Sequence, residues 1–137
     1  MVRHLKRKIE MNWKDYPNFS KEEFDCNHSG INEMKPEFMA MLQSLRTKYG
    51  KPMRITSGYR HESHPIEAKK SRPGAHATGQ AADIGVDRGD AYEVLKLAFD
   101  IGFTGVGIQQ KGGGRFIHLD NIEPDTKDFL RPTIWSY

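Results

Sequence analysis

Two stretches of β type, Gly105-Val106-Gly107-Ile108 and Arg115-Phe116-Ile117-His118-Leu119-Asp120, stand on either side of Lys111-Gly112-Gly113-Gly114. Glycines supply the backbone freedom that a tight reversal needs, so the pattern predicts a β-hairpin, and a hairpin commits its part of the chain to an antiparallel sheet. Side chains alternate along a strand, which puts Phe116, His118 and Asp120 on one face.

The rest of the chain supplies partners for that hairpin. From Lys35 to Tyr49, the apolar residues Phe38, Met41, Leu42, Leu45 and Tyr49 recur at helical steps, with Pro36 in the first turn and Gly50 as the stop. Asp90 is placed to cap a second helix that carries Ala91, Val94, Leu95, Ala98 and Phe99 on one face. A third, short helix is predicted after Ser20, where Glu23 completes a capping-box pattern. Met53–Thr56 and Ala81–Val86 read as further strands, the second with Ala81 and Asp83 on one face. Between them, the polar stretch from His61 to Ala77 reads as a long loop, a feature usually kept for function. The expected fold class is α+β, helices packed against a small, mostly antiparallel sheet.

With 137 residues, 28% of them charged and 36% hydrophobic, the chain has the size and balance of one folded domain. A net charge of +3 suits an acidic partner such as an anionic wall polymer, a nucleic acid or an anionic membrane without choosing among them. Arg3, His4, Lys6, Arg7 and Lys8 crowd the start, so residues 1–12 are read as a basic flexible leader and 13–137 as the domain. The leader lacks the apolar run of a secretion signal, and no segment reaches the roughly 20 apolar residues of a membrane span. Synthesis in the cytoplasm is therefore expected, with a monomeric product. The single cysteine, Cys26, excludes an internal disulfide. With His28 two residues on, it is either half of a metal site or a plain buried thiol.

Three residues from different settings form the chemical candidate: His76 in the loop, Asp83 on the strand after it and His118 on the hairpin. Two neutral imidazoles and one carboxylate leave a tetrahedral zinc with a fourth position open to water, as catalytic zinc sites do. Gly74 and Gly79 bracket His76, and Gly79-Gln80-Ala81-Ala82 is small, which suits a close approach of backbone to a metal, or equally any tight turn.

The run Pro73-Gly74-Ala75-His76-Ala77-Thr78-Gly79-Gln80-Ala81-Ala82-Asp83-Ile84 resembles the Ser-x-His-x-x-Gly-x-Ala-x-Asp motif of the zinc D-alanyl-D-alanine carboxypeptidase family. That family includes phage L-alanyl-D-glutamate endopeptidases and shares its metal site with the Hedgehog signalling domain. Ile55-Thr56-Ser57-Gly58-Tyr59-Arg60 is similar to the family strand ending in Ser-Gly-Tyr-Arg, and Phe116–Asp120 to its third-ligand strand. His64-Pro65-Ile66-Glu67-Ala68-Lys69-Lys70 and the ending Arg131–Tyr137 resemble small stand-alone members found in bacteriophages.

The resemblance implies a Hedgehog-like or DD-peptidase-like fold and one zinc ion held by His76, Asp83 and His118. It also implies that Arg60 holds a substrate carboxylate or the developing oxyanion. The implied activity is hydrolysis of a D-amino-acid-containing peptide bond of peptidoglycan, as a phage lysis enzyme after release or as a wall-cutting part of a virion.

Two departures stand out. Gly74 replaces the serine of the motif, and Arg115 occupies the position, three residues before the third ligand, where several relatives carry an acid. Asp120 is the remaining candidate base, or else a partner that orients a ligand imidazole. His64 either lines the site, with a proton to donate, or is simply solvated, and Glu67, Lys69 and Lys70 either shape the cleft or form a charged surface. Trp135 and Tyr137 either wall a substrate groove or anchor the C-terminus in the core. Arg115 also leaves open a zinc-holding but inactive module that binds wall or a virion partner. Nucleic-acid binding through the leader is the least favoured alternative.

Overall fold

The computed structural model describes residues 10–70 and 73–137; most of the basic leader lies outside the described residues. Among the described residues there are three α-helices: α1 (Pro36–Tyr49), α2 (Pro65–Ala68) and α3 (Arg88–Ile101). Five strands among the described residues form one sheet: β1 (Ile55–Ser57), β2 (Ala81–Ile84), β3 (Gly105–Gln109), β4 (Phe116–Asp120) and β5 (Thr133–Ser136). Their order is β1-β2-β4-β3-β5, antiparallel throughout except for the parallel β3–β5 edge, so the α+β expectation holds. Among the described residues no helix is long and apolar enough to cross a membrane.

The sheet has two unlike faces because its strands alternate. Ala82 and Ile84 of β2, Val106 of β3, and Ile117 and Leu119 of β4 join Phe38, Met39, Leu42 and Leu45 of α1 and Val94 and Ala98 of α3 in the buried core. The residues between them, Ala81 and Asp83, Gly105 and Gly107, His118 and Asp120, face the other way. One layer of helices thus covers one face and leaves the second to loops, where polar groups can gather.

α1 runs as expected, with Pro36 at its start and Gly50 at φ 74° closing it in the left-handed region open to glycine. α3 departs at both ends of the expectation. Its N-cap residue is Asp87, not Asp90, whose carboxylate instead pairs with Lys51. Phe99 is 54% exposed, because the buried stripe is centred on Ala91, Val94 and Ala98 and leaves position 99 turned away. The helix after Ser20 is a single 3-10 turn, Lys21–Glu23, with the Ser20 N–H donating to Glu23 Oε2 at 2.7 Å.

The described residues between His61 and Ala77 hold more regular structure than their polarity suggests. They contain α2, started by Pro65 and capped by His64, whose Nδ1 accepts from the Ile66 N–H at 3.1 Å, and a 3-10 turn at Ala75–Thr78. The turn ends at Gly79, φ 77°, where a Cβ would collide with the Glu33 carbonyl. Besides these, the sequence reading lacked the strand β5.

Candidate metal centre

The register of the sheet builds the site. Ser57 pairs with Asp83, Asp83 with His118, His118 with Gly107 and Gly107 with Trp135, so one row across five strands carries two of the three candidate ligands and its aromatic edge. His76 enters from above on the Ala75–Thr78 turn, its ring 5.1 Å from that of His118. Each candidate ligand is buried, and one donor atom from each lies within 4.8 Å of the others.

The two imidazoles are held by their outward nitrogens. His76 Nδ1 lies 2.9 Å from the Gly58 carbonyl oxygen, and His118 Nε2 lies 2.7 Å from Asp120 Oδ2. Both partners are acceptors that can hold a proton on each outward nitrogen, and the inward nitrogens, His76 Nε2 and His118 Nδ1, converge on Asp83 Oδ1 at 3.2 and 3.0 Å. Ligand atoms about a tetrahedral zinc at roughly 2.0–2.1 Å stand about 3.3 Å apart, so the spacing fits such an ion.

Charge agrees with geometry. Burial pushes the Asp83 carboxyl up, but hydrogen bonds from His118 and His76 outweigh it and hold the group well below the ordinary carboxylate range. For His118, burial favours the neutral ring, and hydrogen bonds to Asp120 and Asp83 overcome it, so its pKa is raised. Without a metal, a proton on His118 Nδ1 holds the Asp83 carboxylate; a bound cation would take that proton's place.

The sign of the pH dependence follows. The raised His118 contributes stability fully present below its unfolded value of about 6.5 and lost as pH rises through its folded value. The lowered carboxyls of Asp83 and Asp120 contribute stability present above about 3.9 and lost on acidification. The metal-free chain is therefore expected to melt highest at about pH 5–6. Added zinc should raise the melting temperature by an increment that grows toward pH 8, because less proton must be displaced. Thermal melts at several pH values, with and without zinc, check both trends.

Asp120 is fully buried and saturated. Arg131 grips it from the far side through Nε to Oδ1 at 2.8 Å and Nη2 to Oδ2 at 2.7 Å. Burial pushes its carboxyl up, and His118 and then Arg131 more than reverse that. The Arg131 guanidinium also lies 5.2 Å from the Trp135 ring, and Trp135 lies 5.1 Å from the His118 ring. Glycines make this possible: a Cβ on Gly105 would strike the Asp120 carboxylate, and one on Gly107 would stand 2.7 Å from Trp135 Nε1.

Arg60 borders the centre on the β1 side. Its Nη2 lies 3.9 Å from Asp83 Oδ2 and 3.2 Å from Ser57 Oγ, and Nη1 lies 3.6 Å from Glu67 Oε2. Glu67, buried on α2, also takes the Lys70 ammonium at 2.8 Å and the Gly74 N–H at 2.7 Å, which ties the loop to Arg60. His64 has its two ring nitrogens engaged by the Ile66 N–H and by Asn27 at 3.1 Å each. Cys26 and His28 belong to no metal-ligating group among the described residues.

Sequence reasoning missed Arg131, for which spacing offers no signal, and the Gly105-Val106-Gly107 alternation, which did signal bulky neighbours above one face. The sequence model of a family described as Peptidase M15 matches residues 17–120, a span that contains His76, Asp83, His118 and Asp120 and ends before Arg131 and β5. No curated protein matches the chain.

Proposed function

Because the chain belongs to the peptidase M15 family, we propose that it is a zinc-dependent peptidase that hydrolyses a D-amino-acid-containing peptide bond of bacterial peptidoglycan. The observation that carries this reading is the convergence of His76 Nε2 and His118 Nδ1 on Asp83 Oδ1, with each ring's other nitrogen fixed by an acceptor. Two imidazoles and one carboxylate form a donor set suited to zinc, and three protein ligands leave a position for water. When bound, zinc supplies a Lewis acid that acidifies that water and polarises a carbonyl.

The chain's own residues supply the rest. Arg60, partly exposed beside Asp83, offers a planar fork to a substrate carboxylate or to a carbonyl oxygen gaining charge. Trp135 gives a flat apolar wall against His118 for the peptide. Asp120 serves as the partner that orients His118 rather than as the base, since its oxygens are sealed between His118 and Arg131. His64 acts through its cap on α2. The action is placed at the wall, reached by a phage lysis enzyme after release or by a virion component.

One observation favours a second reading. Asp120 is closed off and Arg115 stands where relatives carry an acid, which suits a zinc-holding module that binds wall without cutting it. Purified peptidoglycan incubated with the protein should release free amino groups, and a chelator should stop the release. Stoichiometric zinc without release would select the binding module; absence of zinc would overturn the site.

A further inference from the structure

The chain runs on from Asp83 past the end of β2, which closes at Ile84. Gly85 follows Asp83 by two residues, about 7 Å along an extended chain. At this end of the sheet an open groove of about 300 Å³ is lined by Arg54, Gly85, Val86, Asp87, the Gly112–Gly114 turn and Arg115. Gly85 donates its N–H to the Arg54 carbonyl at 2.9 Å, and a Cβ at Gly85 would stand 2.6 Å from Arg54 Nη2. Only a bare backbone lets that guanidinium lie across the strand. The opposite wall is equally bare: a Cβ at Gly112, Gly113 or Gly114 would meet nothing within 4 Å. Arg115 is fixed to this turn through Nε, which donates to the Gly112 carbonyl at 2.9 Å, and its two Nη groups have no hydrogen-bond partner among the described residues.

Neither arginine has a carboxylate partner among the described residues. Asp87, the third charge, makes no side-chain hydrogen bond to the helix it precedes. Two guanidiniums and one carboxylate sum to a single positive charge, which favours a monoanionic carboxylate over a phosphate dianion. The guanidinium fork also matches a carboxylate in shape.

We propose that this groove is a substrate subsite, formed by Arg54 and Arg115, for a carboxylate that branches from the peptide near the bond cut at the metal centre. The proposal rests on the peptidase reading for its substrate class. In wall peptides, the γ-linked D-glutamate carries such a branch as its free α-carboxylate.

The test uses zinc-loaded protein and two synthetic peptides, L-Ala-γ-D-Glu-L-Lys-D-Ala-D-Ala with the D-glutamate α-carboxylate either free or amidated. Binding of each is measured by calorimetry, and KM and kcat are measured wherever turnover occurs. The free carboxylate is expected to lower Kd or KM by about 10-fold with little effect on kcat, the scale of a charged hydrogen bond. The double variant Arg54→Gln, Arg115→Gln should keep its zinc and treat the two peptides alike. Equal values for the two peptides in the unaltered protein, or a preference that survives in the double variant, would overturn the subsite. A carboxylate preference without turnover would support the groove while the peptidase reading falls, and turnover without preference would do the reverse. Failure to bind either peptide would overturn the subsite whatever the wall assay gives.

Discussion

His118→Ala is expected to leave the protein folded, without bound zinc and without release of amino groups from peptidoglycan. The imidazole is one of three buried donors and the middle member of the row Asp83, His118, Gly107, so its loss removes a ligand and unpairs Asp83 on one side. The remaining His76 and Asp83 offer too few donors for a closed set. Asp120→Asn is the comparison. It keeps an acceptor oxygen near His118 Nε2 but removes the charge that orients the ring, and outer partners of this kind typically cost about 10–100-fold in metal affinity or activity. The ranking expected is therefore no zinc for His118→Ala and weakened zinc for Asp120→Asn. Metal analysis after gel filtration, with circular dichroism to establish folding, reads it directly. Full zinc in folded His118→Ala would remove His118 from the ligand set, and with it the argument that the sheet register builds the site.

The sequence disclosed this site to the extent that periodic patterns carry it. Alternation along the hairpin put His118 and Asp120 on one face, and the same rule put Asp83 with Ala81, which is how the strands lie. α1 was legible because Pro36, the apolar spacing and Gly50 agree. Alternation says nothing of the order of strands, so the placing of β2 between β1 and β4, which brings Asp83 against His118, became visible only in the fold. The cap of α3 was misread because Asp87 and Asp90 are equivalent by propensity, and Lys51, 39 residues away, decides which of them serves another purpose. β5 was hidden by its short length and the Pro132 before it, and its pairing draws on β3, over 20 residues upstream. Asp120 was left between two roles for the same reason: the residue that closes off its carboxylate, Arg131, lies 11 positions away and reaches it only after the chain has turned back.

Arg131→Ala is expected to destabilise the protein by about 3–5 kcal/mol, the cost of leaving one partner of a buried ion pair unmatched. Asp120 has no exposed surface, and two of the four hydrogen-bonded contacts of its carboxylate come from this one guanidinium. The Arg131 side chain is itself 8% exposed, so solvent does little to screen the pair. Truncation also removes the cation beside the Trp135 ring, and with it the packing that holds Trp135 toward His118. The loss should spread to the metal, because a less firmly held Asp120 orients His118 less well. A double-mutant cycle separates these effects. If Arg131 acts through Asp120, then Arg131→Ala in an Asp120→Ala background should cost far less than it does alone, since no buried charge remains to be stranded. Urea denaturation of the four proteins in chelator gives the coupling without the metal, and repeating it with zinc shows how much reaches the site. Additive losses would mean that Arg131 stabilises β5 alone and that Asp120 holds His118 without help from the C-terminal strand.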